Sequence, residues 1–220
     1  MMSGKQIAWD AVGALFRDGM SVMYGGFMGI GTPSGIVEAM CAADLHGLVL
    51  IGNDSGVPIP GIAPLITQRR VRRLVASHIG TNPETGKQML AGELEVELVP
   101  QGTLAERIRC GGAGLGGVLT PTGVGTVVEE GKQRLTLDGR DYLLERPLRA
   151  DIAIIKARRA DTQGNLVYER AARNFNPLIA LAADLVLVEA DEIVEAGSID
   201  PDQVMTPGVL VDHIVLARSN

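Results

Sequence analysis

Residues 24–33 read YGGFMGIGTP, directly after the apolar run Met20-Ser21-Val22-Met23. Gly25, Gly26, Gly29 and Gly31 lie between a strand-like run and a helix start, a pattern that can turn backbone N–H groups toward an anion. A tight strand-to-helix connection uses the same residues, so the segment alone supports both readings. A second glycine-rich stretch, GGAGLGG at 111–117, contains Gly112-x-Gly114-x-x-Gly117, the letters of a dinucleotide fingerprint. Its context is wrong for that role. It follows a helix, and Val118-Leu119-Thr120-Pro121-Thr122-Gly123 cannot open the helix the fingerprint needs. A close-packed or flexible loop is the preferred reading.

The other reactive side chains are scattered. His46, His78 and His213 lack metal-ligand spacing, so structural or surface roles are favoured and no metal is expected. Ser34 and Ser55 have no nucleophile elbow around them. Glu38 and Glu84 stand alone, and Glu93, Glu95 and Glu97 alternate along a strand, where they most simply form its solvated face. Cys41 and Cys110 show no ligand-like spacing. Residue types and spacing therefore describe two Gly-rich loops without a self-evident catalytic group, the profile of a binding half.

The elements that must position these loops alternate along the chain. Residues 5–17 have helical spacing, ended by Asp18-Gly19, and 20–24 form a short buried strand. Thr32 suits a helix N-cap with Pro33 at the first helical position, and 34–43 carry Ile36, Val37 and Met40 on one face. Strands are expected at 48–54, 72–79, 94–100, 152–155 and 185–189. Helices are expected at 83–90, at 103–110 closed by Gly111-Gly112, and at 176–184. Residues 131–146 break the rhythm with a hairpin, because Asp138-Gly139 fits a type I′ turn. Continuous apolar strands alternating with helices predict an α/β fold: a mostly parallel open sheet with helices on both faces, and a small β-hairpin insertion.

Composition narrows the classes. With 220 residues the chain reads as one domain, 1–220, long enough to build a core without disulfides. Lys and Arg number 20 against 26 Asp and Glu, a net charge of −6 that argues against non-specific nucleic-acid binding. Charges come early at the N-terminus and no run approaches the ~18 uncharged apolar residues of a membrane span, so neither a leader nor a membrane segment is expected. Two unpaired cysteines fit a reduced, cytoplasmic protein. Glycine is the outlier at 28 residues, near twice the usual ~7%, and it clusters at turns.

The run DGMSVMYGGFMGIGTP (18–33) resembles the Gly-Gly-Phe signature of the first subunit of family I coenzyme A-transferases. Tyr24 departs from that signature, which usually has an aliphatic residue there. The segments SHIGTNPETGK (77–87), LAGELEVELVPQGTLAERIRCGGAGLGG (90–117), TPTGVGTVVEEGK (120–132), LLERPLRADIAIIKA (143–157), ADTQGN (160–165) and ARNFNPLIALAAD (172–184) look like the same family, in the same order. Met28-Gly29-Ile30-Gly31-Thr32-Pro33 and ARNFNPL are similar to its acetate branch, which exchanges CoA between short-chain fatty acids and acetoacetate. The 3-oxoacid and 3-oxoadipate types are the alternative.

The resemblance implies a sheet of the CoA-transferase/NagB-like kind and a reaction that swaps one CoA thioester for another. In the family a glutamate attacks the acyl-CoA, and CoA then attacks the mixed anhydride to give a glutamyl-CoA thioester. That glutamate lies in a Glu-Asn-Gly stretch of the second subunit, and no Glu-Asn pair occurs in this chain. The resemblance thus implies a β-subunit partner, in an α2β2 hetero-oligomer, with acyl-CoA and short-chain acids as substrates and no permanently bound cofactor. Gly25, Gly26, Phe27, Met28, Gly29, Ile30 and Gly31 correspond to the CoA-contact loop, with the following helix end supplying N–H groups and a positive dipole. Gln101, in the run PQGT, matches a family glutamine near the reacting carboxylate, with a helix-entry hydrogen bond as its plain structural alternative. Phe27 has a core-anchor reading as well. Two rival functions share the fold expectation: a sugar-phosphate isomerase, which needs an acid/base pair on one chain, and a ligand-binding module without a catalytic partner.

Overall fold

Alternating apolar strands bury both faces, which dictates a sheet covered on each side by helices. The computed structural model describes residues 4–57 and 61–218; the part of the leader reading that rests on residues 1–3 lies outside them. The strands are β1 (Ser21–Tyr24), β2 (Leu48–Asp54), β3 (Val71–His78), β4 (Glu95–Leu98), β5 (Val118–Thr120), β6 (Gln133–Leu137), β7 (Arg140–Glu145), β8 (Ala150–Asp161), β9 (Leu166–Val167), β10 (Ala183–Val194) and β11 (His213–Leu216). The helices are α1 (Trp9–Val12), α2 (Ser34–Ala42), α3 (Ala63–Thr67), α4 (Pro83–Leu90), α5 (Gln101–Ala113) and α6 (Asn176–Ile179).

The main sheet runs β11-β10-β8-β1-β2-β3-β4, with every neighbour in that order parallel. Only β9 joins β8 antiparallel. Successive strand residues point to opposite faces, and two cores result. Val22, Tyr24, Leu50 and Ile154 face Ile36, Met40 and Leu65 of α2 and α3. Met23, Ile51, Val75 and Ile155 face Leu104, Ile108 and Ile179 of α5 and α6.

The interruption predicted at 131–146 is a three-stranded antiparallel sheet, β5-β7-β6. Its turn has Asp138 at φ 50° and Gly139 at φ 74°, the two positive values of a type I′ hairpin. The sequence reading lacked the third strand, since three residues at 118–120 are too few for periodicity to register. It also lacked α3, β9 and β11.

Several boundaries differ for tertiary reasons. The helix read over 5–17 is only α1 and a 3₁₀ turn at Gly13–Leu15, because Gln6 pairs with Ile214 and the Ile7 N–H bonds the Ile214 carbonyl at 2.9 Å. An open sheet edge thus claims residues whose local spacing is helical. Gly111-Gly112 do not close α5, which runs on to Gly114 in the left-handed region. Their missing side chains serve packing instead: a Cβ on Gly111 would sit 1.9 Å from the Leu148 carbonyl O, and one on Gly112 would sit 2.6 Å from Leu181 Cβ. The helix read over 176–184 is a single turn, after which Ala183 opens the long strand β10.

Candidate functional site

Strand β1 lies between β2 and β8. The chain builds outward from it on one side through β2, β3 and β4 and on the other through β8, β10 and β11. In open α/β sheets, ligands bind beyond the carboxyl ends of the strands where the order reverses in this way. The segment leaving β1 at that point is Gly25–Gly31.

That segment folds as a miniature hairpin. Phe27 and Ile30 exchange both backbone hydrogen bonds at 3.0 Å, with Met28 at φ 51° and Gly29 at φ 84° between them. Two positive φ values make a type I′ turn, so Gly29 is required by its geometry. Directly paired residues put their side chains on one face. Phe27, Met28 and Ile30 are 49%, 46% and 59% exposed, an apolar lip at the sheet's edge. The core-anchor alternative for Phe27 does not hold.

The hairpin is held from three directions. Asp54, buried at the end of β2, accepts the Met28 N–H at 2.8 Å and the Gly56 N–H at 2.7 Å. Asn174 accepts the Gly26 N–H at 2.8 Å and donates to the Ile30 carbonyl at 3.0 Å. Asn176 donates to the Gly31 carbonyl at 3.0 Å. Gly25 lacks a side chain because Asn176 fills the space: a Cβ there would lie 1.8 Å from Asn176 Oδ1. Gly26 has φ 122° and faces Thr32 Oγ1, 1.9 Å from where a Cβ would be. Gly31, at φ 80°, faces the Ala172 carbonyl.

The loop is therefore less of an anion cradle than its composition suggests. The N–H groups of Gly25, Gly26, Phe27, Met28, Ile30 and Thr32 all donate within the chain. Among the described residues, those of Gly29 and Gly31 have no such acceptor. The helix behind the loop is committed in part. It starts at Ser34 with Pro33 at the N-cap and no cap from Thr32, and the Ile36 N–H bonds Glu189 Oε2 at 3.1 Å. Glu189 is buried and its other oxygen meets Lys156 Nζ at 3.0 Å. The negative charge that this helix dipole favours comes from the protein itself. Of the first N–H groups of α2, that of Ile36 is thus taken up by Glu189, while among the described residues those of Ser34 and Gly35 have no acceptor within the chain.

Gln101 opens α5, immediately after β4, and is exposed. Its Nε2 donates to Asn53 Oδ1 at 2.6 Å, and Asn53 Nδ2 donates to the Gly26 carbonyl at 2.8 Å. Ser77 Oγ, with one proton to give, sits against Gln101 Oε1 and 2.8 Å from the Asn53 carbonyl. The ends of β2, β3 and β4 are thus tied to the glycine hairpin that follows β1. Beside this chain lies a cavity of about 360 Å³ lined by Phe27, Ile30, Asn53, Gln101, Ala171, Asn174 and Phe175. Apolar side chains form most of its wall and neutral amides its polar groups, which suits an uncharged or singly charged ligand with an apolar end.

The structure brings Phe27, Ile30 and Gln101 to one cavity, with Gly25, Gly26, Met28, Gly29 and Gly31 shaping the hairpin that bounds it. The sequence reading did not single out Asn53, Asp54, Asn174 or Phe175. The signal for the first two was available, since a polar Asn-Asp pair ending an apolar strand of a doubly wound sheet points to the ligand edge. Glu97 is corrected in the other direction. It is no solvated strand residue but pairs with Arg107 at 2.6 Å and Arg73 at 2.7 Å. Burial pushes its pKa up, yet the hydrogen bonds and charges of Arg107 and Arg73 outweigh this and hold it below the usual glutamate value.

Tyr24 has a structural account. Its ring covers Gly52 of β2, where a Cβ would fall 2.4 Å from Cζ, and its hydroxyl donates to the Asp54 carbonyl. Burial first, then the Asp54 charge, raises its pKa well above that of a free tyrosine. It is a neutral packing group, not an acid/base. Among the described residues no cluster of His, Cys, Asp and Glu could hold a metal.

Four matches relate the chain to known proteins. Residues 5–217 match the family described as Coenzyme A transferase. The chain is 64% identical over 211 residues to the acetate CoA-transferase subunit alpha of Escherichia coli K12, covering 96% of each. It is 47% identical to the acetoacetyl-CoA:acetate/butyrate CoA transferase alpha subunit of Clostridium acetobutylicum, covering 97% of this chain and 98% of that one. Among solved structures, an acyl-CoA transferase from Escherichia coli O157:H7, in a thioester complex with CoA, superposes with a TM-score of 0.87 at 21% identity. The match covers 97% of this chain and 47% of that one, so the fold described above spans about half of that polypeptide.

Proposed function

This chain belongs to the coenzyme A transferase family, as a subunit of the α type, and from that premise we propose that it transfers CoA between an acyl-CoA and a short-chain acid. Acetate, butyrate and acetoacetate are the proposed acids, and the thioester intermediate forms on a glutamate of a β partner in an α2β2 assembly. The observation that carries the reading is the cavity at the switch point. Its hairpin lip and amide chain can seat an acyl-CoA and orient a carboxylate, and among the described residues its lining contains no carboxylate, thiol or imidazole to act as nucleophile. A catalyst built this way needs its reacting group from a second surface, and the exposed lip is an apolar surface of the kind a partner buries. The family match removes the isomerase reading.

In this proposal Gln101 orients the acid. Its Nε2 already points into the network through Asn53, and a neutral amide holds a carboxylate without burying a countercharge. The hairpin Gly25–Gly31 shapes the acyl-CoA side, acting through Phe27, Met28 and Ile30 rather than through a ring of free N–H groups. Among the described residues no helix is long and apolar enough to cross a membrane. The proposed compartment is the cytoplasm, in keeping with two free cysteines.

Trapping tests the division of labour. The reconstituted complex, incubated with acetoacetyl-CoA alone and reduced with borohydride, should carry the reduced thioester on a β-chain glutamate, with ping-pong kinetics. Gln101→Ala should keep labelling and slow transfer to the acid. A label mapped to this chain, or turnover by this chain free of any partner, overturns the proposal.

A further inference from the structure

A second cavity, of about 320 Å³, lies where the small sheet meets the main body. Glu97 of β4, Arg107 of α5, Lys132 before β6, Glu145 at the end of β7 and Arg146 line it, and it shares no residue with the amide-lined cavity. Most of its charges are paired. Glu97 accepts from Arg107 Nη1 at 2.6 Å and from Arg73 Nη2 at 2.7 Å, and Lys132 Nζ donates to Glu145 Oε1 at 2.6 Å. Two atoms of buried side chains are left over. The Arg107 side chain is 10% exposed, and its Nη2 has no acceptor among the described residues. The Glu145 side chain is 2% exposed, and its Oε2 has no donor, since Arg107 Nε at 3.8 Å is beyond hydrogen-bond reach. Neither atom is sealed off from solvent. An ion-pair network with a purely structural role would use both. Arg146 is exposed and has no carboxylate partner among the described residues, so three cations and two carboxylates line the cavity.

We propose that this cavity binds inorganic hydrogen phosphate, with Arg107 Nη2, Lys132 and Arg146 donating to its oxygens and Glu145 Oε2 accepting its proton. The surplus cation and the free guanidinium N–H call for an oxyanion, because arginine donates and never accepts. The free carboxylate oxygen narrows the choice. It accepts but cannot donate, so it repels an oxyanion whose oxygens are all bare and holds one that carries an O–H. At neutral pH inorganic phosphate retains at least one proton, whereas sulfate retains none. A phosphate monoester, with a second pKa near ~6, is mostly bare as well. The ion would tie Lys132 and Arg146, at the two ends of the β6–β7 hairpin, to α5, the helix that Gln101 opens. None of these cavity residues has a part in the CoA-transfer reading.

The test is calorimetric titration of the reconstituted complex, free of CoA, with inorganic phosphate, sulfate and glycerol 3-phosphate at neutral pH and equal ionic strength. Phosphate should bind once per α chain, and the other two at least about tenfold more weakly, the cost of setting a bare oxygen against Glu145. Arg146→Ala, a change at an exposed side chain, should weaken phosphate about fivefold. Glu145→Gln places an N–H where the carboxylate was and should bring sulfate to within about threefold of phosphate. Because that variant also takes the charge from Lys132, hydrogen exchange gives a reading on the wild type alone: phosphate should slow it at 131–133 and 145–146, and sulfate should not. No phosphate binding, or sulfate binding as tightly as phosphate to the wild type, would overturn the proposal. So would a phosphate affinity unchanged by Arg146→Ala together with a sulfate affinity unchanged by Glu145→Gln.

Discussion

Replacing Asp54 by Asn tests whether a buried carboxylate fixes the hairpin. Asp54 is 3% exposed, and its two oxygens accept from the Met28 N–H at 2.8 Å and the Gly56 N–H at 2.7 Å. Asparagine has the same shape, but one of its two terminal atoms must be an NH₂. Whichever way the amide turns, one N–H then faces another donor. Hydrogen bonds to a charged group contribute about 1.5–3 kcal/mol each, and a buried donor left without an acceptor costs about 1–3 kcal/mol. One bond lost and one weakened give an expected destabilisation of about 2–4 kcal/mol. At roughly 2–4 °C per kcal/mol for a chain of this size, Tm should fall by about 4–16 °C. If the amide settles with its NH₂ toward Met28, the tip loosens, and kcat/KM for acyl-CoA should fall further than the melting curve explains at assay temperature. Calorimetry of the isolated chain and steady-state kinetics of the complex at 25 °C measure the two. A variant with Tm within ~1 °C of wild type and unchanged kcat/KM would refute the claim that Asp54 holds the turn.

Other outcomes follow from the same geometry. Gly52→Ala should be destabilising by more than the ~1 kcal/mol of an average point substitution, because its Cβ would enter the Tyr24 ring; Tyr24→Val should restore much of the loss, and a double-mutant cycle showing simple additivity would contradict the contact. Glu97 has a folded pKa below its unfolded value, so its stabilisation is present above the unfolded value and is lost as pH falls through the folded one. Urea midpoints taken from neutral pH down into the acid range should therefore fall more steeply for wild type than for Glu97→Gln. Parallel curves would show that the Arg73–Glu97–Arg107 pairing contributes nothing measurable.

How much of this molecule the sequence determined depends on the range of the interaction involved. Alternation of apolar runs and helical spacing comes from neighbours a few residues apart, so the parallel sheet, its two helical layers and the Asp138-Gly139 turn were legible. The Gly-rich segment was legible as a site candidate too, but not for the right physical reason. Its glycines looked like an anion cradle, whereas Gly29 serves a hairpin turn and Gly25 makes room for Asn176, a residue about 150 positions away in the chain. The same limit explains Gly111-Gly112, which read as a helix stop and act as contact points for Leu148 and Leu181. Glu189 could not be seen as the cap of α2, nor Asn174 as the clamp of the hairpin, since no local pattern links them. Gln101 was identified through its resemblance to a family motif, while its bond to Asn53 required β2 and β4 to be set on either side of β3. Short-range order is written in neighbouring side chains. The cavity exists only once the sheet brings residues from opposite ends of the chain within hydrogen-bonding distance, and that step belongs to the tertiary structure.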